Sequence, residues 1–225
     1  MKNFTLILLS ILCVGSAWSQ STQYDPKEYT MAPEAEIALA RSAAPDNVSS
    51  HATIKILSNS GYKEAVKGDN GFTCIVMRGW SVPFTRKPEY NGKIRAPICY
   101  DPNASRTVLP YQELCAKLGL EGKDVETINR EVAMAYALGE LPKMETTAFA
   151  YMWSADQNVG PAGHWHPHMM VYAPYYTDEM LGKNDPASLA PFVSPDAGTP
   201  FAIVIIAVPD DKAIKSKMPE QKIKK

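Results

Sequence analysis

The sequence has few of the residues that most catalytic centres use, and its charges nearly cancel. Of 225 residues, four are histidine and four are cysteine, and 23 basic residues stand against 24 acidic ones. With 45% hydrophobic residues and a net charge near zero, the chain differs from disordered acidic chains and from basic nucleic-acid-binding proteins. We therefore expect a globular protein and no nucleic-acid partner.

The motifs of the common catalytic classes are absent from the sequence. It contains no GxGxxG, P-loop, GxSxG or HExxH segment. It also has no CxxC pair, which argues against a thioredoxin-like redox role and against a four-cysteine zinc module. No segment offers the roughly 20 uninterrupted apolar residues of a membrane-spanning helix, so we expect no transmembrane anchor.

The first 19 residues have the pattern of a secretory signal peptide. Lys2 gives a positive start, residues 4–14 are apolar, and Ala17 and Ser19 are small residues at the positions that signal peptidase reads. The apolar stretch is too short to span a bilayer. We therefore expect cleavage near Ser19 and a secreted or periplasmic product.

Three cysteines remain after the signal peptide, in a compartment where disulfides persist. Cys74 and Cys99 lie in extended, apolar segments that are candidates for neighbouring strands. Cys115 shares an apolar helical face with Tyr111 and Leu118, as a small buried hydrophobic residue would. We predict a Cys74–Cys99 disulfide and a buried, free Cys115.

The mature chain has the length of one domain, without repeats or a central linker. We predict a single α+β domain whose antiparallel or mixed sheet is covered by about three helices within residues 33–44 and 108–138. The divisions are a signal peptide (1–19), an extended N-terminal arm (20–32), the domain (33–211) and a basic tail (212–225). The predicted strands are 52–57, 72–78, 94–100, 147–153 and 201–208, with the first two forming a hairpin.

Three of the four histidines are concentrated in one short segment. His164, His166 and His168 alternate with other residues, so in an extended chain their side chains would project to one face. Neighbouring imidazoles in such a row are about 6.5–7 Å apart at the backbone, close enough for two of them to bind one ion. All three can bind it if the chain bends, which Gly163 and Pro167 allow.

This cluster predicts a transition-metal site, with zinc or copper as the ion. The third ligand could be His168, His51 or the carboxylate of Asp156, although His51 is typical of a surface residue and Asp156 of a turn. Thioethers of Met169 and Met170 would favour copper if they faced the same pocket. An open coordination position would give metal-assisted hydrolysis, and a closed shell would give storage or structural binding. The sequence leaves both open.

A second hypothesis is a non-enzymatic binding or structural module of the cell envelope. The loop around Trp80 and the proline-rich residues 175–200 carry aromatic side chains. Exposed aromatics in such loops could contact a glycan, a peptide or another surface partner. An unknown small molecule is equally compatible with this hypothesis.

Two resemblances bear on these hypotheses. The His164-x-His166 pair after a glycine resembles the first metal motif of cupins, but residues 169–172 lack the glutamate of that motif. The segments Asn70–Cys74 and Gly163–His168 (Gly-His-Trp-His-Pro-His) resemble exported bacterial proteins of no assigned function. That resemblance implies secretion and assigns no catalytic residue.

Overall fold

The computed structural model describes residues 25–81, 91–144, 147–159 and 163–217, which form eight strands and five α-helices. The strands are β1 (Thr53–Ser58), β2 (Gly61–Val66), β3 (Thr73–Met77), β4 (Ala96–Tyr100), β5 (Ala148–Met152), β6 (His168–Tyr172), β7 (Phe192–Val193) and β8 (Ile203–Ala207). The helices are α1 (Pro33–Arg41), α2 (Asp46–Ser49), α3 (Pro102–Thr107), α4 (Leu109–Leu120) and α5 (Val125–Ala137).

The strands join into one mixed sheet, which confirms the predicted α+β fold. Their order is β2-β1-β3-β4-β5-β6-β8-β7, and every neighbouring pair is antiparallel except β1 with β3. The predicted hairpin between 52–57 and 72–78 is therefore wrong. Ser58 pairs with Gly61 across a tight turn, so β1 forms its hairpin with β2. The sequence pattern does not indicate β2, because β2 is an edge strand with exposed, mainly polar central residues that lack an apolar run.

Helices cover both faces of the β1–β4 half of the sheet. Apolar residues of α1, among them Leu39 and Ala40, pack on one face against Ile54 and Val76. The helices α3 and α4 cover the opposite face, where Val108 packs near Ile98. Helix α1 has Pro33 at its first position, and the side chain of Asp124 caps α5 by accepting a hydrogen bond from the Thr127 N–H.

The predicted disulfide is confirmed within this half. Cys74 of β3 and Cys99 of β4 are directly opposite in the antiparallel register, and both are fully buried. Cys115 is free and buried on α4, where burial raises the pKa of its thiol to about 12. Its prediction as a small packing residue is confirmed.

The ends of the chain are described only in part. The predicted signal peptide and residues 20–24 of the arm lie outside the described residues. Within the rest of the arm, Pro26–Tyr29 forms a 3-10 helix capped by Asp25. Of the basic tail, residues 212–217 are described, and Ile214 forms a parallel bridge with Ser154, so this part lies against the domain.

Candidate functional site

A cavity of about 700 Å³ lies on one face of the sheet, beside the region that α3 and α4 fill. Its floor consists of side chains from β3 to β6 and β8, and its roof of residues from α4 and α5. The irregular segment 173–201 forms a wall, to which Phe192 and Phe201 contribute. Contributors to the floor include Met77, Ala96, Met152, Met170, Tyr172 and Ile205.

Strand alternation decides which residues of β6 reach the cavity. His168, Met170 and Tyr172 line it, whereas Met169 and Val171 point to the opposite face. The sequence predicts an extended segment from residue 164, but the strand begins only at His168. The expected row of three imidazoles is therefore not formed by a regular strand.

His168 is the histidine that enters the cavity. Its side chain is 6% exposed, and Nδ1 lies 2.8 Å from the backbone oxygen of His166. Trp165, which also lines the cavity, packs edge to face on the imidazole with ring centroids 4.7 Å apart. Burial lowers the pKa of His168 to about 4, against a smaller opposing effect of the backbone hydrogen bond. The imidazole is therefore neutral at physiological pH.

The other two members of the histidine cluster lie outside the cavity lining. His166 is half-buried, and its Nδ1 lies 2.8 Å from Oδ1 of Asp210. His164 is exposed, in a bend before the strand. The segment thus gives its three imidazoles three different environments.

The remaining predicted ligands also lie apart. His51 is exposed and pairs with Asp69 at 3.1 Å. Asp156 accepts hydrogen bonds from the backbone and hydroxyl of Ser216, both at 2.7 Å. Across the described ranges, no three His, Cys, Asp or Glu side chains form a group that could hold a metal ion. The transition-metal site stays a prediction.

Four methionines line the cavity, and the sequence indicates only one of them, Met170, as a candidate functional residue. Met77, Met144, Met152 and Met170 line the cavity, and Tyr100 donates a hydrogen bond to Sδ of Met77 at 3.5 Å. Met152 lies directly opposite His168 in the register of β5 and β6. Period-two alternation places Met170 on the same face as His168 and Tyr172, but it cannot bring Met77 and Met152 beside them or show that the face is open.

Few polar groups line the cavity. Gln112 of α4 is 6% exposed, and its Oε1 accepts no hydrogen bond from any described residue. Arg78 also lines it, but the guanidinium donates to Glu36 Oε1 and to the Tyr29 carbonyl oxygen, each at 2.8 Å. Arg78 and Glu36 are both completely buried, so this cation is already neutralised.

The described aromatic residues of the second hypothesis lie in different surroundings, and residues 82–90 of the Trp80 loop lie outside the described residues. Trp80 is fully buried and stacks on Tyr29 with ring centroids 4.3 Å apart. A Cβ on Gly119 would lie 2.4 Å from the Trp80 ring, so α4 approaches the indole as only glycine allows. Trp80 is a core residue and cannot contact a partner. Tyr175 is 61% exposed, whereas Phe192 and Phe201 turn towards the cavity.

No protein-family model, curated protein or solved structure matches this chain. None of the helices in the described ranges is both long and apolar enough to cross a membrane. Inference about function therefore depends on the cavity and the residues that line it.

Proposed function

We propose that the protein is an exported binding protein that holds a small, largely apolar molecule in the cavity. The observation that carries this proposal is the cavity itself, a volume of about 700 Å³ bounded mainly by aliphatic, aromatic and thioether side chains. Pockets for small molecules typically measure roughly 300–1,000 Å³ and combine apolar walls with a few polar groups. Both features are found on this face of the sheet.

The lining suits an apolar occupant because water would bind it poorly. A buried water needs about two to four polar partners, and the floor offers chiefly Met, Ile and aromatic side chains. An apolar ligand gains free energy by removing these surfaces from water. The four lining methionines have flexible, polarisable side chains that adapt to ligands of different shape.

Export is the second part of the proposal. The predicted signal peptide supports it, and the Cys74–Cys99 disulfide is compatible with an oxidising compartment. A carrier outside the cytoplasm would keep a poorly water-soluble compound in solution. This role needs no catalytic group, which agrees with the absence of the common catalytic motifs from the sequence.

A fluorescence titration tests the proposal with a pair of variants at adjacent positions. N-phenylnaphthylamine, an uncharged dye that brightens in apolar surroundings, is titrated into the wild-type protein, Met170→Trp and Met169→Trp. Met170 faces the cavity and Met169 the opposite side of the same strand. We expect saturable binding by the wild type and by Met169→Trp, and at least tenfold weaker binding by Met170→Trp because the indole occupies the cavity.

Two results would contradict the proposal. One is a wild-type protein that gives no saturable signal. The other is equal affinity in the two tryptophan variants, since the dye would then bind elsewhere. Circular dichroism and thermal unfolding of all three proteins establish that each is folded.

A further inference from the structure

We infer that the ligand carries a hydroxyl or N–H group that donates a hydrogen bond to Nε2 of His168, and that it bears no negative charge. This inference rests on the proposed function, because it specifies the chemistry of the molecule in the cavity. Two observations carry it: the tautomer of His168 and the charges of the described lining residues.

The backbone fixes the tautomer of His168. Nδ1 lies 2.8 Å from the backbone oxygen of His166, and a carbonyl oxygen can only accept a hydrogen bond. Nδ1 therefore carries the proton of the neutral imidazole, and Nε2 presents a lone pair. No described residue donates a hydrogen bond to Nε2, while the ring itself lines the cavity. A ligand donor is the natural partner for this acceptor.

The surroundings of His168 hold the ring in place for such a contact. Trp165 packs against the imidazole at 4.7 Å between ring centroids, and Phe192 packs against Trp165 at 6.0 Å. His168 is only 6% exposed, so water competes poorly for Nε2. A hydrogen bond made there contributes more than the same bond at the protein surface.

Gln112 on the roof does not add a second acceptor. Its Oε1 accepts no hydrogen bond from the described part of the chain, but this atom has almost no accessible surface and therefore does not face the cavity. The hydrogen-bonding part of the inference depends on His168.

Charge on the described lining disfavours an anionic ligand. Asp178 is an acidic residue of this lining. Among the described lining residues, Arg78 is the only cation, and it is ion-paired with Glu36 at 2.8 Å. A carboxylate or phosphate in the cavity would lose its hydration and lie near Asp178, without a free cation among the described lining residues to compensate.

Displacement of bound N-phenylnaphthylamine by three matched compounds tests the inference. The compounds are para-phenylphenol, its methyl ether and biphenyl-para-carboxylate, which share one apolar skeleton. They are measured on the wild-type protein, on His168→Phe and on His166→Phe as the control. His166 lies outside the lining, and the control keeps its backbone oxygen, so the His168 tautomer is unchanged.

For the wild type and His166→Phe, we expect the phenol to bind about tenfold more tightly than the methyl ether, as one buried hydrogen bond would give. In His168→Phe the two should bind within about twofold of each other. The methyl ether should keep its affinity in that variant, which shows that the cavity is intact. The carboxylate should bind most weakly in all three proteins.

The outcomes separate this inference from the proposed function. Equal binding of phenol and ether by the wild type overturns the inference and leaves the apolar cavity site standing. A phenol preference that persists in His168→Phe also overturns it, because the donor then bonds elsewhere. Carboxylate binding tighter than that of the phenol refutes the exclusion of negative charge. Failure of the dye to bind the wild type contradicts the proposed function itself.

Discussion

The two halves of the sheet are built from similar short strands, but they differ in what packs on their faces. All five residues of β4 are buried, because helices pack on both faces of that half. In β6 only the first and last residues are buried, and the three between them are partly exposed. The difference lies in what covers each half, since α1, α3 and α4 pack mainly on β1 to β5.

The far half is covered by irregular chain instead of helix. Segment 173–201 contains five prolines and only the two-residue strand β7 as a regular strand. Such a segment cannot present the continuous apolar stripe with which a helix fills the groove above a sheet. A volume of about 700 Å³ is left between sheet and wall. The packed half stabilises the fold, and the open half provides most of the cavity lining.

The largest expected effect is in the packed half, at the ion pair of Arg78 and Glu36. Replacing Arg78 by Met leaves the buried Glu36 carboxylate without its cation and should lower the free energy of unfolding by about 3–5 kcal/mol. Urea unfolding measures this loss. Lys183→Met is the control, because its pair with Glu179 is exposed, and it should unfold at the wild-type midpoint. A small effect of Arg78→Met would mean that the pair is not isolated from water.

A pair of isoleucines compares the halves directly. Ile98→Ala removes a fully buried side chain from β4 and should cost about 2–5 kcal/mol, since it opens a new void. Ile205→Ala on β8 enlarges a cavity that already exists, so its loss should be less than half as large. Equal losses in urea unfolding would show that the far half is as tightly packed as the near one.

Acid should destabilise the protein through His168. The pKa of this histidine is about 4 in the folded state, below its ordinary value of 6.5, so the unfolded chain binds the proton first as pH falls. The contribution of the neutral imidazole to the free energy of unfolding is complete above about pH 6.5. It is lost as the pH falls towards about 4, at roughly 1.4 kcal/mol per pH unit.

Chemical unfolding at several pH values between these limits checks the His168 contribution. His168→Phe should have a shallower dependence of stability on pH than the wild type. Met169→Phe, which replaces a neighbour that does not titrate, should reproduce the wild-type slope. Identical slopes in all three proteins would contradict the buried, neutral state of His168.

The sequence predicts strands in both halves of the sheet, but it does not predict how the open half is covered. Continuous apolar runs identify β5 and β8, and the extended segments around Cys74 and Cys99 lead to the disulfide. The parallel pairing of β1 with β3 depends on contacts between residues distant in sequence. Local periodicity contains no information about such contacts.

The same limit applies to the candidate site. The histidine cluster lies beside the cavity, and of its three histidines His168 lines it. Met77 and Met152 line the same cavity as His168 because of the strand order. Gln112 lines it because of the way α4 packs on the sheet. An open face can be recognised only after every helix has been placed.

The smallest expected effect is that of replacing Asp210, the partner of His166. The pair of His166 and Asp210 is partly exposed, so Asp210→Asn should change the free energy of unfolding by less than about 1 kcal/mol. It should leave binding of para-phenylphenol unchanged, because neither residue lines the cavity. Isothermal titration calorimetry measures the affinity. A marked loss of binding would place His166 within the site.

The most direct test of the cavity as the binding site is a crystal structure of the wild-type protein with para-phenylphenol. We predict density for the biphenyl between Met170, Ile205 and the roof helices, with the hydroxyl oxygen at hydrogen-bond distance from Nε2 of His168. Density for the compound elsewhere on the protein, with this cavity filled by side chains or ordered water, would contradict the account.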